Sequence, residues 1–270
     1  MLGPIITVEQ LGELEAVPVI ADVRWYLDGS DGRAAYEAGH LPGAVFVDLD
    51  RWLSSPASPT EGRHPLPDPA TFAEGMRSLG VDSGRPVIAY DDRAGGVAGR
   101  LVVMLRWLGH PAALLDGGLA AWPTELETGP SPTPEPGDFE ERPWPTDRFV
   151  TADDVDAHLA AGGTVIDARA GDRFRGETEP MDSRAGHVPG AINRPFADNL
   201  DAEGRFLGLD ALAERYADLG DSPIAYCGSG VSACNDLLVM EAVGIDDARL
   251  YVGSWSQWSA DPDRAVATGE

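Results

Sequence analysis

Three observations in the 270-residue chain predict an α/β fold of two tandem domains, each a parallel sheet with helices on both faces. The first is that the chain repeats itself. Val19-Ile20-Ala21-Asp22-Val23-Arg24, Ala38-Gly39-His40-Leu41-Pro42-Gly43-Ala44, Val87-Ile88-Ala89-Tyr90-Asp91 and Asp116-Gly117-Gly118-Leu119-Ala120-Ala121-Trp122 have counterparts later in the same order. These are Val165-Ile166-Asp167-Ala168-Arg169, Ala185-Gly186-His187-Val188-Pro189-Gly190-Ala191, Ile224-Ala225-Tyr226-Cys227 and Val252-Gly253-Ser254-Trp255-Ser256-Gln257-Trp258. Matching blocks in a fixed order mark a duplicated structural unit. The second observation is that short apolar β-branched runs alternate with helix-spaced patterns, which implies βαβ units and a sheet covered on both faces. The third is Thr128-Gly129-Pro130-Ser131-Pro132-Thr133-Pro134-Glu135-Pro136-Gly137, too rich in proline for helix or central strand and suited to a semi-rigid connector. The expected boundaries are 1–127, a linker at 128–148, and 149–270.

Individual elements follow from the same pattern. A helix starts at Thr7, with Gln10 three residues later in the spacing of a capping box. Val87 to Tyr90 reads as a buried strand and Val97 to Leu108 as the helix after it. Another helix starts at Thr151, where Asp153 and Asp154 suit the positive end of the helix dipole. Ile224 to Tyr226 is a second buried strand, and Leu237, Leu238, Val239, Met240 and Val243 form a helix that begins near Ser232. His40 and His187 occur once per repeat beside Pro-Gly, as expected of structural hydrogen-bonding residues.

Composition narrows the function. The formal charge is −25, from 45 acidic against 20 basic residues, and every basic residue is arginine. Nucleic acid and anionic membrane are poor partners for such a surface, because both require a basic footprint. The absence of lysine excludes a pyridoxal phosphate Schiff base and a phosphate loop ending in Gly-Lys. No apolar run approaches the roughly 20 residues of a membrane span, and Met1-Leu2-Gly3-Pro4 lacks the basic start of a secretory signal, so the cytoplasm is the expected compartment. The two cysteines, with six residues between them, support neither a disulfide framework nor a four-ligand zinc site. No metal is expected.

Both cysteines fall in Ile224-Ala225-Tyr226-Cys227-Gly228-Ser229-Gly230-Val231-Ser232-Ala233-Cys234. A strand-to-helix turn with two glycines can aim several backbone N–H groups at one point, and the helix N-terminus adds partial positive charge. A thiolate at Cys227 would be stabilised there and reactive. The matching position of the first repeat is Asp91. A site filled by carboxylate in one half and thiol in the other is expected to face solvent. Cys234, inside the helix, is expected to pack. Protein tyrosine phosphatases share the arrangement but place arginine six residues after cysteine; that residue here is Ala233, so phosphoryl transfer lacks its clamp.

On the two Gly-His-hydrophobic-Pro-Gly-Ala blocks, Leu115-Asp116-Gly117-Gly118 with Trp122, Gly253-Ser254-Trp255 and Cys227-Gly228-Ser229-Gly230-Val231-Ser232-Ala233, the chain resembles the two-domain rhodanese family of sulfurtransferases. The resemblance implies two rhodanese-like domains, the first lacking the catalytic cysteine, and no organic cofactor. Within the family, the uncharged loop is similar to that of enzymes using 3-mercaptopyruvate, whereas loops with basic residues use thiosulfate. The implied roles are Cys227 as nucleophile, loop residues Gly228, Gly230, Val231 and Ser232 as donor- and persulfide-binding positions, and Arg175 of Arg173-Phe174-Arg175-Gly176 as the arginine for the donor. A second donor arginine of the family falls between Thr178 and Ala185, where Met181 occupies the position and Arg184 is the available substitute. A Ser-His-Asp relay is implied at Ser229, His64 and Asp50.

The expected chemistry is two half-reactions of covalent catalysis. Cys227 takes sulfur from a small anionic donor, then yields it to cyanide, a small thiol or a thioredoxin-type acceptor. A thiosulfate-preferring enzyme and a non-catalytic sulfur-relay module are the alternatives.

Overall fold

The computed structural model describes residues 2–270; Met1, part of the segment read for a leader, lies outside them. These residues divide into two compact units. The first comprises residues up to Ser55 together with Pro67–Trp144 and Ala202–Arg205, and the second Pro56–Leu66, Pro145–Asp201 and Phe206–Glu270.

In the first unit the chain runs β1 (Ile5–Ile6), α1 (Val8–Gly12), β2 (Val19–Asp22), α2 (Gly32–Ala38) and β3 (Val45–Phe46), then α3 (Pro69–Ser78), β4 (Val87–Tyr90), α4 (Ala98–Trp107) and β5 (Ala112–Leu115). Thr7 caps α1 through a reciprocal box with Gln10. All strand pairings are parallel, in the order β1-β5-β4-β2-β3. Ile6, Tyr36, Leu41, Ile88, Tyr90 and Leu115 form its core. Residues 128–145 run without helix or strand and are pinned to this unit, for Arg77 donates to the Phe139 carbonyl, Arg142 to Leu108, and Trp144 to Pro67.

The second unit repeats the plan with β6 (Phe149–Val150), α5 (Ala152–Ala160), β7 (Val165–Asp167), α6 (Gly171–Phe174), β8 (Ile192–Asn193), α7 (Leu209–Tyr216), β9 (Ile224–Tyr226), α8 (Ala233–Ala242), β10 (Arg249–Tyr251) and α9 (Ser254–Trp258). Thr151 and Asp154 form the box that starts α5. The order β6-β10-β9-β7-β8 is again wholly parallel. From β7 the chain adds β8 on one side and β9 on the other, so the connections lie on opposite faces under the right-handed crossover rule. The carboxyl ends of β7 and β9 form the switch point where ligands bind in open α/β sheets. Every residue of α8 from Ala233 to Met240 is buried, which fixes the helix whose N-terminus meets that switch point.

Buried pairs repeat with the fold. Arg24 binds Asp22 through two nitrogens and reaches the Gly39 carbonyl, as Arg169 does with Asp167 and Gly186. His40 stacks on Tyr36 and His187 on Phe174, each with Nδ1 within hydrogen-bond distance of its neighbour's carbonyl. Both histidines have the structural part expected of them. No helix among the described residues is long and apolar enough to cross a membrane.

Candidate active site

Tyr226 pairs in register with Asp167, so Cys227 is the first residue beyond the sheet at the switch point. The Tyr226 hydroxyl, pushed well above its ordinary range by burial, stays neutral and accepts the Val188 N–H. Cys227 N–H donates to Ser254 Oγ at 3.2 Å, the Cys227 carbonyl accepts from Trp255 at 3.0 Å, and the Gly228 carbonyl accepts from Ser256 at 2.9 Å. Ser254 holds φ at +52°, a left-handed conformation that costs a non-glycine residue about 1–2 kcal/mol. Its hydroxyl, bound to both Cys227 N–H and the Tyr251 carbonyl, offsets that strain and locks the start of the loop to α9.

Gly230 carries φ +72°, the reversal that turns the loop into α8. Val231 is buried, Ser232 is the half-buried N-cap, and Cys234 lies in the first helical turn with its thiol donating to the Gly230 carbonyl at 3.4 Å. Cys234 packs.

The expectation that Cys227 faces solvent is corrected by the structure: its exposure is 1%, and that of Asp91 is 0%. Polarity at Asp91 signals an anion cradle rather than exposure. Its carboxylate accepts the N–H groups of Arg93, Gly95, Val97 and Ala98, each at 2.8 Å, and a buried charge so satisfied needs no water. At the same distances past Cys227 stand Ser229, Val231, Ala233 and Cys234.

Residues 62–64 cover the loop. A β-carbon on Gly62 would lie 2.6 Å from the Gly253 carbonyl, so only glycine allows this approach. Arg63 N–H donates to Ser256 Oγ at 3.0 Å, and His64, only 3% exposed, places Nδ1 2.8 Å from Ser229 Oγ. His64 and Ser229 are thus brought together across 165 residues of sequence. Asp50, in the other unit, lies in the π-helical turn Leu49–Leu53 and accepts the Trp25 indole N–H at 3.1 Å.

The arginines differ from expectation. A β-carbon on Gly228 would meet Arg63 Nη2 at 3.3 Å and Arg173 Nη1 at 3.6 Å, so glycine lets two guanidinium groups approach the residue after Cys227. Arg175 instead pairs with Glu177 at 2.8 Å and is 40% exposed. Residues two apart on a helical turn point about 200° away from each other, so only one arginine of the motif can face the loop, and it is Arg173. Arg184 is also directed elsewhere. Its guanidinium donates to the carbonyls of Trp258, Ser259, Asp261 and Arg264, satisfying the C-terminal end of α9 and the turn beyond it. Asp182 and Glu179, which sequence reading missed, hold the two arginines that do approach the loop.

Comparison with known proteins agrees with this duplicated architecture. The rhodanese-like domain matches residues 7–125 and 151–261. The chain is 43% identical to the probable 3-mercaptopyruvate sulfurtransferase of Pseudomonas aeruginosa, over 98% of each chain. It is 42% identical to a Mycobacterium tuberculosis protein whose name proposes a thiosulfate sulfurtransferase, over 93% of this chain and 90% of that one. Among solved structures, the Escherichia coli protein described as a 3-mercaptopyruvate sulfotransferase superimposes with a TM-score of 0.80 at 33% identity, covering 94% of this chain and 99% of that one. With the domain matched in both halves and relatives aligned end to end, the chain belongs to the rhodanese-like family, carrying one such domain in each half.

Proposed function

We propose that the protein is a sulfurtransferase that takes sulfur from 3-mercaptopyruvate onto Cys227 and passes it to a thiol or cyanide. The observation that carries this reading is the 2.8 Å contact between His64 Nδ1 and Ser229 Oγ, two residues beyond a buried cysteine at the switch point. The relatives support it, those of Pseudomonas aeruginosa and Escherichia coli being named for this activity.

In the first half-reaction the Cys227 thiolate attacks the donor's thiol sulfur. An S–S bond forms, the C–S bond breaks, and its electron pair leaves with pyruvate as the enolate. Ser229 protonates the enolate and is reprotonated through His64, a step of general acid catalysis. Arg173 holds the donor carboxylate by a charge-assisted contact. The outer sulfur of the persulfide stands two bonds beyond Cβ, as the carboxylate oxygens do on Asp91. The cradle that binds those oxygens in the first domain supports the same role for the loop N–H groups here. In the second half-reaction the acceptor attacks the outer sulfur, and the S–S electron pair returns to Cys227.

The part assigned to Asp50 rests on the family resemblance; Asp50→Asn lowering kcat with KM held is the outcome it requires. Thiosulfate is the competing donor, favoured by the Mycobacterium tuberculosis relative's name and by the two guanidinium groups beside Gly228. Incubation with mercaptopyruvate followed by mass spectrometry tests the main reading: a gain of about 32 Da, one sulfur, on the Cys227 peptide is expected. No adduct would refute it, and a larger kcat/KM for thiosulfate would reassign the donor.

A further inference from the structure

Arg63 and Arg173 reach the loop from separate segments and share one counter-ion. Asp182 Oδ1 accepts from Arg63 Nη1 at 2.8 Å, and its Oδ2 lies 3.4 Å from Arg173 Nη2. Glu179 Oε1 accepts from the same Arg173 nitrogen at 2.7 Å and from the backbone N–H groups of Met181 and Asp182 at 3.1 Å. Glu179 Oε2 receives Arg169 at 3.2 Å. Both carboxylates are nearly sealed, at 4% exposure, while Arg63 and Arg173 keep 20% and 17%.

Each arginine keeps donors that the carboxylates do not use. Among the described residues, Nε of Arg63 and Nε of Arg173 are buried without a hydrogen-bond partner. The two nitrogens nearest Gly228, Arg63 Nη2 and Arg173 Nη1, do not bind Asp182 or Glu179, while Arg173 Nη2, which binds both, lies only slightly farther from Gly228 at 3.8 Å from a β-carbon there. Buried, unsatisfied guanidinium N–H groups are costly unless a ligand completes them. Two guanidinium groups so oriented form a clamp for one small anion. The two buried carboxylates cancel the two arginine charges, so an approaching anion meets directed donors in a field close to neutral. A second negative charge on the ligand then meets Asp182 and Glu179 without compensation.

Resting on the sulfurtransferase reading, we propose that Arg63 joins Arg173 in binding the donor anion, and that Asp182 is a positioning residue whose charge sets the preference for a singly charged carboxylate over dianionic thiosulfate. Arg63 does the work that neither Arg175 nor Arg184 is placed to do.

Steady-state kinetics of the full chain with both donors tests this. Asp182→Asn keeps the shape and one acceptor for Arg63 but removes the charge. It should raise kcat/KM for thiosulfate relative to mercaptopyruvate about tenfold, while Asp182→Glu restores the original ratio. Arg63→Gln should raise KM for mercaptopyruvate about tenfold with kcat within about threefold, and Arg63→Lys should recover part of the loss. Equal effects of Asp182→Asn on both donors, or unchanged KM in Arg63→Gln, would overturn the proposal. If Asp182→Asn fails to fold, the Arg63 variants still decide it. Absence of a Cys227 persulfide in the unsubstituted protein with either donor sinks the sulfurtransferase reading and this inference together. Normal persulfide formation with an unmoved donor ratio in Asp182→Asn sinks this inference alone.

Discussion

After β4 the chain places a carboxylate and after β9 a thiol, and both side chains are buried at the carboxyl edge of a parallel sheet. Asp91 accepts four backbone N–H groups and so neutralises its own loop. Cys227 has no such set of acceptor oxygens, and in the function proposed above its loop gains an equivalent anion only when a second sulfur is attached. Deeper in the following helices the charges are reversed: Arg100 in α4 donates to the Leu53 carbonyl, whereas Asp236 in α8 accepts from Tyr216 and Asn199. The same backbone plan therefore makes one loop a structural knot and, in the function proposed above, the other a reaction site, and the difference is the side chain that ends the strand.

The largest effect should come from erasing that difference at the thiol. Cys227→Ser should lower sulfur transfer at least about a thousandfold and abolish the persulfide adduct, since a serine hydroxyl is a poor nucleophile for sulfur. Assay with mercaptopyruvate and a thiol acceptor, with mass spectrometry, checks it. Next, Ser229→Ala, which removes the partner of His64 at the position held by Arg93 after β4, should lower kcat by about 10²-fold and leave KM nearly unchanged. A pre-steady-state measurement of pyruvate release reads this step directly.

On the other loop the expected loss is stability. Asp91→Ala leaves four buried N–H groups without their acceptor and should destabilise the protein by roughly 3 kcal/mol, seen as a fall in thermal midpoint. Asp91→Asn, which keeps one acceptor oxygen, should lose less.

The smallest effect concerns Asp236. Burial pushes its carboxyl from 3.8 to about 7, opposed by hydrogen bonds from Tyr216 and Asn199. A carboxyl whose folded pKa is raised binds its proton more tightly when folded, so its contribution is fully present below 3.8 and lost as pH rises through about 7. The thermal midpoint should therefore fall as pH rises from about 4 to about 7 and level off above, and Asp236→Asn should flatten that slope.

Much of the fold was legible because duplication wrote each strand and turn twice, and because Thr7 with Gln10 and Thr151 with Asp154 announce helix starts through local bonding. The site was legible where one short segment carries it. Cys227 and the loop glycines follow from a strand-to-helix turn, and His64 and Ser229, proposed from the family resemblance, do meet. The choice between Arg173 and Arg175 was not legible, since a motif with two arginines does not say which faces inward; the single turn of α6 does. Arg184 could not be told from a ligand-binding arginine until the carbonyls beyond α9 were in place around it.

By itself the sequence determined the repeat, the parallel sheets and the place of Cys227 at the end of a strand, because these depend on residue type and on spacing within a few positions. Only the tertiary structure decided that Cys227 is buried and that Arg63 reaches Asp182 across 119 residues. Burial and long-range charge pairing depend on which segments cover one another, and no local pattern encodes that.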